Sequence, residues 1–243
     1  MAETQFFRRW PHNASTEYIS ARQKLLEAEM SLRDQIETVA AQRRALPTGA
    51  SMPTYSFEEG PKSLDQDHPC SETTLLQLCE GKSLVIYHLM FAEDEDEACP
   101  SCSMWVDGFN GVADHLDQHM TFVVIAKAPL PKLRSWARVR GWDKVRLLSC
   151  FGTTFNADMN LEHPDWMPGL KQAPGISVFR KDGDTVRHVY SAPPEFTPRE
   201  GRAMDLLCPV WNLLDIVPEG RGEWNPSNSY IGKALRQIRE NDS

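Results

Sequence analysis

The centre of the chain alternates between apolar runs and segments with a helical composition. The runs are almost entirely apolar, as in strands buried on both faces of a sheet. Three strands are predicted, at residues 84–91, 121–126 and 145–148. Helices are predicted at residues 101–119 and 131–140, and Gly141 stands where a glycine usually ends a helix. The pattern therefore predicts strands and helices in alternation.

A hairpin and further helices are predicted after these elements. Residues 175–179 and 185–190 have the composition of strands, and the stretch 181–184 between them is a strong turn signal. Residues 199–216 predict a closing helix, and residues 231–239 a last helix in a polar tail. This order of elements predicts an α/β fold in which helices flank a mixed sheet.

The first third of the chain predicts a long helix followed by irregular chain. The helix covers residues 15–46, with Ser15 as its N-cap, and its apolar side chains form an interrupted stripe. Such a stripe fits a surface helix packed on its own domain, or an arm that forms a homodimer. Residues 47–69 are rich in Pro, Gly and Ser and predict irregular chain with a short strand around 55–57. A short helix is predicted at residues 73–79.

Composition narrows the class of protein. The 243 residues carry a net charge of -8, which argues against nucleic acid as a partner. No apolar run reaches the ~18 residues of a membrane span, and the N-terminus lacks the apolar stretch of a signal peptide, so we expect a cytoplasmic protein without a membrane partner. We divide the chain into an N-terminal extension at 1–80, a core at 81–217 and a polar tail at 218–243.

The segment Cys99-Pro100-Ser101-Cys102 carries the candidate chemistry. It follows a predicted buried strand and opens a predicted helix, which is the arrangement of a dithiol redox site. The spacing places both sulfurs on one side of the first turn. With Cys99 as N-cap and Pro100 at N1, the free amides and the helix dipole favour a thiolate on Cys99. We predict Cys99 as the nucleophile and Cys102 as the resolving thiol.

An acidic loop opposes this effect. Residues 93–97 are Glu-Asp-Glu-Asp-Glu, and carboxylates beside Cys99 raise the pKa of its thiol. Solvent screens charges that face water. The sequence leaves open which effect is larger.

A zinc finger is an alternative interpretation of the same cysteines. The spacing from Cys99 and Cys102 to His115 and His119 fits a finger. The context does not, because a buried strand precedes the cysteines and the helix is acidic. We therefore predict that the spacing is coincidental and that no metal is bound, although thiolates can bind copper(I) or zinc.

Four other side chains are weighed as parts of the site. His88, near the end of the first buried strand, is either a hydrogen-bonded structural histidine or a group beside the dithiol. Trp105, one turn after Cys102, belongs to the core or lines a groove. Cys150 and Cys208 are more readily explained as buried thiols than as resolving cysteines.

The cysteine pair after the first core strand, with Pro174 just before the hairpin strand, resembles the thioredoxin fold. The resemblance implies that Pro174 is cis and lies against the dithiol. Five segments together resemble the thioredoxin-like domain of unknown function eight-nine-nine: residues 87–91, 99–105, 126–130, 140–142 and 174–179. The likeness extends from the N-terminal helix to about Gly220.

These observations predict a thiol–disulfide oxidoreductase, or a dithiol peroxidase-like relative, that needs no cofactor. The substrate is expected to be a disulfide, a peroxide or another small molecule. We assign catalysis to Cys99 and Cys102, and substrate binding to Pro174, Trp105 and His88. Two alternatives stay open: a metal- or small-molecule-binding protein that uses the same cysteines, and a scaffold of thioredoxin fold without catalysis.

Overall fold

The computed structural model describes residues 7–197 and 200–230. Backbone contacts divide the chain into two compact units, residues 1–47 and 48–243. The predicted last helix at 231–239 lies outside the described residues. Within the described ranges, no helix combines the length and the apolar character needed to cross a membrane.

The first unit contains helix α1, Thr16–Arg44, which confirms the predicted long helix. The Ser15 side chain accepts a hydrogen bond from the Tyr18 amide at 3.1 Å, as an N-cap does. Glu17 in the first turn and Arg43 in the last turn match the helix dipole. Several large apolar side chains of α1 are exposed: Leu25, Leu32, Ile36 and Val39. They are the positions at which the predicted homodimer contact would form, and that contact stays a prediction.

The second unit is built on an eight-stranded sheet of order β1-β8-β7-β4-β5-β6-β2-β3. The strands are β1 Ser51–Met52, β2 Ser56–Glu59, β3 Ser71–Thr74, β4 Leu84–Leu89, β5 Thr121–Ala126, β6 Arg146–Ser149, β7 Gly175–Asp182 and β8 Thr185–Ala192. Strands β4, β5 and β6 are parallel, and every other pair is antiparallel. The sheet is therefore mixed, and β4 lies at its centre.

In the described part of this unit, five α-helices accompany the sheet: α2 Leu75–Leu78, α3 Pro100–Leu116, α4 Leu130–Arg140, α5 Phe155–Asp158 and α6 Pro209–Leu214. Helix α3 follows β4, and α4 follows β5, so the parallel strands are joined by helical connections. The hairpin β7–β8 turns at Gly183, which has a φ of 60°. This topology confirms the predicted α/β fold class, a thioredoxin-like mixed sheet flanked by helices.

The flanks of the sheet differ in part from the prediction. The short strand expected near 55–57 is present as β2, which pairs with β6 and β3, but β1, which pairs with β8, was not predicted. The closing helix expected at 199–216 is shorter: a 3₁₀ turn at Asp205–Leu207 precedes α6. Pro209 begins α6 as its first residue, since proline cannot donate the backbone hydrogen bond that a helix interior requires.

Strand β4 separates two apolar cores. Tyr87 and Leu89 belong to one core, together with the apolar face of α3, and Leu84 and Ile86 belong to the other. Alternate residues of a strand point to opposite faces of a sheet. The side on which a β4 side chain lies therefore decides whether it can reach α3.

Candidate functional site

Helix α3 follows β4 after a loop, and Cys99 is the N-cap of the helix. The Cys99 amide donates to the Met90 carbonyl at 3.0 Å, and the Cys99 carbonyl accepts from the Ser103 amide at 2.9 Å. Pro100 occupies N1, where its missing N–H leaves no hydrogen bond unmade. These contacts fix the position of the Cys99 sulfur at the start of the helix.

The two thiols differ in exposure. Both are free, but Cys99 is partly exposed, whereas the Cys102 side chain is 1% exposed. Cys99 makes no standard side-chain cap hydrogen bond, yet its sulfur lies near the amides of Ser101 and Cys102 and near the Cys102 thiol. An attacking reagent from solvent therefore meets Cys99 first.

The same contacts separate the pKa values of the two thiols. The pKa of Cys99 is lowered to about 6, first by the hydrogen bond with the Cys102 thiol and then by the amides of Cys102 and Ser101, against the effect of burial. The pKa of Cys102 is raised well above its ordinary value by its hydrogen bond with Cys99 and by burial. At neutral pH the arrangement thus favours a thiolate on Cys99 and a thiol on Cys102.

The acidic loop does not cancel this effect. Glu95 raises the pKa of Cys99, but by less than the hydrogen bonds from the Cys102 thiol and the Ser101 and Cys102 amides lower it. The Glu95 carboxylate accepts a hydrogen bond from the Ala92 amide at 2.6 Å, and Asp94 forms an exposed ion pair with Lys171 at 2.9 Å. The helix start therefore outweighs the loop, which answers the question that the sequence left open.

Tyr87 is a site residue that the sequence analysis missed. It lies on β4 and is completely buried, and its hydroxyl has no nitrogen or oxygen partner. The hydroxyl instead faces the sulfur of Cys102, and its ring stacks on Trp105 with centroids 6.5 Å apart. Alternation along β4 predicts that Tyr87 and His88 point to opposite faces of the sheet, but the apolar run does not show which of the two faces α3 covers.

A cavity of about 290 Å³ lies against the dithiol. One side of its lining comes from β4, the start of α3 and the residue before β7: Tyr87, Cys99, Ser101, Cys102, Trp105 and Pro174. The segment after β8 supplies Pro194, Arg202, Met204, Asp205, Trp211 and Arg221. A larger cavity of about 450 Å³ is lined by Arg134 and Lys144, among others, and has no cysteine or histidine in its lining. The dithiol cavity is therefore the candidate site.

Two of the predicted substrate-binding residues lie in this cavity. Trp105 and Pro174 both line it beside the cysteines. The prediction that Pro174 is cis was wrong, because the cis peptide bond in the described part of the chain is His68–Pro69. The residues just before Pro174 are held by backbone hydrogen bonds. Gln172 forms an antiparallel bridge with Glu162, and the Ala173 amide donates to the Leu161 carbonyl at 2.9 Å.

His88 lies on the opposite face of the sheet, so its predicted role in substrate binding was wrong. Its Nδ1 lies 3.0 Å from Asn156 Oδ1, and its Nε2 lies 3.0 Å from Ser177 Oγ. The amide oxygen only accepts, so Nδ1 donates and Nε2 accepts from the hydroxyl, as in a neutral ring. Burial lowers the pKa of His88 to about 4. The structural interpretation of His88 is the one that the contacts support.

This environment makes stability depend on pH. In the unfolded chain the histidine pKa is about 6.5, so between pH 6.5 and 4 the unfolded state binds more protons and stability falls as pH falls. We expect His88 alone to lower the free energy of unfolding by ~3 kcal/mol between pH 7 and pH 4. Urea unfolding of the wild type and of His88→Gln at both pH values measures this. Equal pH dependence in the two proteins would contradict the assignment.

The remaining cysteines lie in the core. Cys150 is buried, its thiol donates to the Ala126 carbonyl at 3.3 Å, and burial raises its pKa to about 12. Cys208 is also buried, and burial raises its pKa as well. Neither belongs to the lining of the dithiol cavity.

The helix separates the candidate zinc ligands. Helix α3 is continuous from Pro100 to Leu116, so Cys102 lies in its first turn and His115 in its last. A rise of 1.5 Å per residue puts the two roughly 20 Å apart along the axis, whereas zinc requires its ligands within about 2.3 Å. Among residues 7–197 and 200–230, no group of three or more His, Cys, Asp or Glu side chains is arranged to hold a metal ion.

The fold and the site together define a thioredoxin-like α/β protein that presents a cysteine pair at the start of a helix. The chain belongs to the family of bacterial proteins of unknown function called DUF899, whose family model matches residues 8–241. This confirms the family resemblance seen in the sequence. The comparison with curated proteins gives no match.

Solved structures with a similar fold include three redox proteins. A Burkholderia cenocepacia protein provisionally named a thioredoxin reductase is 19% identical, with a TM-score of 0.47 over 67% of this chain and 96% of its own. Peroxidoxin BcpB from Mycobacterium tuberculosis is 18% identical, with a TM-score of 0.45 over 63% and 88%. Reduced Prx3 from Vibrio vulnificus, in complex with hydrogen peroxide, is 13% identical, with a TM-score of 0.44 over 67% and 94%. Similarity at this level is coarse and does not define an activity.

Proposed function

We propose that this protein is a thiol–disulfide oxidoreductase or a related dithiol peroxidase, in which Cys99 attacks and Cys102 resolves. The observation that carries the proposal is the difference between two adjacent sulfurs. One is partly exposed with a lowered pKa, and the other is buried with a raised pKa. A nucleophilic thiolate next to a protected thiol is the arrangement that a two-step dithiol reaction requires.

The first step depends on the oxidant. With a disulfide, the Cys99 thiolate forms a bond to one sulfur, and the other sulfur leaves as a thiolate. With a peroxide, Cys99 becomes a sulfenic acid, and the leaving oxygen takes up a proton. In both cases Cys102 then attacks Cys99, gives up its proton and releases the leaving group, which leaves a Cys99–Cys102 disulfide. An external thiol reductant restores the pair.

Reactivity should follow the pKa of Cys99. We expect alkylation of Cys99 by iodoacetamide to reach half its maximal rate near pH 6, because only the thiolate reacts. The measurement uses full-length Cys70→Ser, since Cys70 is exposed and would add a second reactive thiol. Mass spectrometry assigns the modified residue, and Cys70→Ser with Cys99→Ser is the control. A midpoint near 8.5, the ordinary value, or modification of Cys102 before Cys99 would contradict the proposed roles.

A cytoplasmic location is part of the proposal. All six cysteines are free thiols in the structure, and most are buried. Free thiols are the state that a reducing compartment maintains. In such a compartment the Cys99–Cys102 pair would be returned to its reduced form after each reaction.

A further inference from the structure

We propose that the dithiol cavity binds a small, uncharged organic hydroperoxide, and that the Tyr87 hydroxyl donates a hydrogen bond to its oxygen. This inference rests on the proposed dithiol function and narrows its substrate to one class. It is carried by the charge balance of the cavity wall, by its apolar surfaces and by a buried donor that has no oxygen or nitrogen partner.

The charges of the cavity wall neutralise one another. Arg202 contacts both Asp205 and Asp215 at 2.8 Å, and Arg221 contacts the same two carboxylates at 2.6 Å. Two guanidinium groups thus face two carboxylates, and this cluster leaves no net charge to attract an ionic ligand. An anionic substrate would lose its hydration on entering the cavity, find both guanidinium groups already paired and be repelled by the Cys99 thiolate. The wall therefore favours an uncharged molecule over an anion.

The other surfaces of the cavity are largely apolar. Trp105, Pro174, Pro194, Met204 and Trp211 contribute them. Arg221 also stacks over the Trp211 ring at 5.0 Å, which holds that ring in the wall. A volume of about 290 Å³ is at the low end for ligand sites. The cavity thus suits a small molecule with an apolar body.

The Tyr87 hydroxyl distinguishes a hydroperoxide from a disulfide. It is completely buried and without an oxygen or nitrogen partner, and its neighbour is the Cys102 sulfur, a weak acceptor. A buried donor left in this state is costly, and a ligand oxygen would satisfy it. The reacting atoms of a disulfide offer only further sulfur. The cavity therefore supplies a hydrogen-bond donor that a peroxide oxygen can accept from and that the sulfurs of a disulfide cannot satisfy.

The reaction follows from this placement. The Cys99 thiolate attacks the terminal peroxide oxygen, so that an S–O bond forms and the O–O bond breaks. The peroxide is reduced to an alkoxide, which takes a proton from solvent to become an alcohol, and the Tyr87 hydrogen bond stabilises the developing negative charge. Cys102 then displaces water from the Cys99 sulfenic acid, and an external thiol reductant reduces the resulting disulfide.

The test compares oxidants on the reduced full-length Cys70→Ser protein in stopped flow, with loss of thiol as the readout. The probes are cumene hydroperoxide, hydrogen peroxide and 2-hydroxyethyl disulfide, and a free small thiol provides the reference rates. We expect the ratio of the cumene hydroperoxide rate to the hydrogen peroxide rate to be at least about tenfold higher for the protein than for the free thiol. A ratio equal to that of the free thiol would overturn the inference.

Three variants test the roles of the wall. Tyr87→Phe should slow cumene hydroperoxide about tenfold and change the disulfide rate less than about twofold. Tyr55→Phe is the matched control: its hydroxyl binds Asp158 on the other face of the sheet, so it should change neither rate. Trp211→Ala should lower the ratio of the cumene hydroperoxide rate to the hydrogen peroxide rate to nearly that of the free thiol. If Tyr87→Phe does not fold, this variant alone tests whether the cavity binds the organic hydroperoxide. Equal slowing of both oxidants by Tyr87→Phe would overturn the inference, because Tyr87 would then act only on the sulfurs.

The outcomes separate this inference from the proposed function. If the disulfide oxidises the Cys99–Cys102 pair and cumene hydroperoxide does not, the substrate class is wrong and the dithiol function stands. If neither probe produces the Cys99–Cys102 disulfide, both proposals fail.

Discussion

Replacing Cys99 with serine is expected to abolish oxidation of the dithiol by any oxidant, with a loss of about a thousandfold or more. A hydroxyl is a far weaker nucleophile than a thiolate. Cys102→Ser should instead retain the first attack and accumulate a mixed disulfide or a sulfenic acid on Cys99. Mass spectrometry of each variant after a single exposure to oxidant measures both results.

Cys150→Ser is the control for this comparison. It removes a buried thiol of the same chemistry that lies outside the dithiol cavity, so the oxidation rate should stay unchanged. The assigned order of attack would be wrong if Cys99→Ser still formed an adduct on Cys102 at a comparable rate.

Replacing Asp107 with alanine is expected to lower the free energy of unfolding by about 3–5 kcal/mol. Asp107 lies on α3, where its carboxylate pairs with Arg140 and accepts hydrogen bonds from Trp142 Nε1 at 2.7 Å and from the Tyr230 hydroxyl at 3.0 Å. The Arg140 side chain is only 6% exposed, so the substitution leaves a buried charge without its carboxylate. Urea unfolding at pH 7 measures the loss.

Asp114→Ala provides the control on the same helix. Asp114 pairs with Lys144 at 2.6 Å, but the two side chains are 73% and 46% exposed. Solvent screens such a pair, so its loss should lower the free energy of unfolding much less than the loss of Asp107 does. Equal losses in the two variants would show that the burial of Arg140 does not set the cost.

The centre of the fold could be predicted because its signals are local. The apolar runs of β4 and β5 and the proline at the start of α3 each determine their own element. Strands β1 and β3 carry no such signal, since they have two and four residues and form by pairing with other strands. The strand near 55–57 was predicted, but its pairing with β6 was not. Phe57 in β2 is buried against Phe155, a contact between residues almost one hundred positions apart. Patterns within a short window do not contain that information.

The parts of the candidate site that depend on local sequence could also be predicted, and the parts that depend on tertiary packing could not. The spacing of Cys99 and Cys102 identified the helix start, and both Trp105 and Pro174 line the cavity, while their role in substrate binding stays a prediction. His88 was assigned to the wrong face because β4 is buried on both sides, and an unbroken apolar run does not show which residues point towards α3. Arg202, Met204, Trp211 and Arg221 were missed because they follow the hairpin and return to the dithiol only through tertiary packing.

The segment after β8 forms a wall of the cavity that is separate from the elements that set the reactivity of Cys99. The reactivity of Cys99 depends on the start of α3, whereas one wall of the cavity comes from Pro194 and from side chains between Arg202 and Arg221. Substitutions in that wall can alter what reaches the sulfur without altering the sulfur itself. Related chains could therefore diverge in substrate while keeping one reaction, and an engineer could exchange the wall while leaving the nucleophile in place.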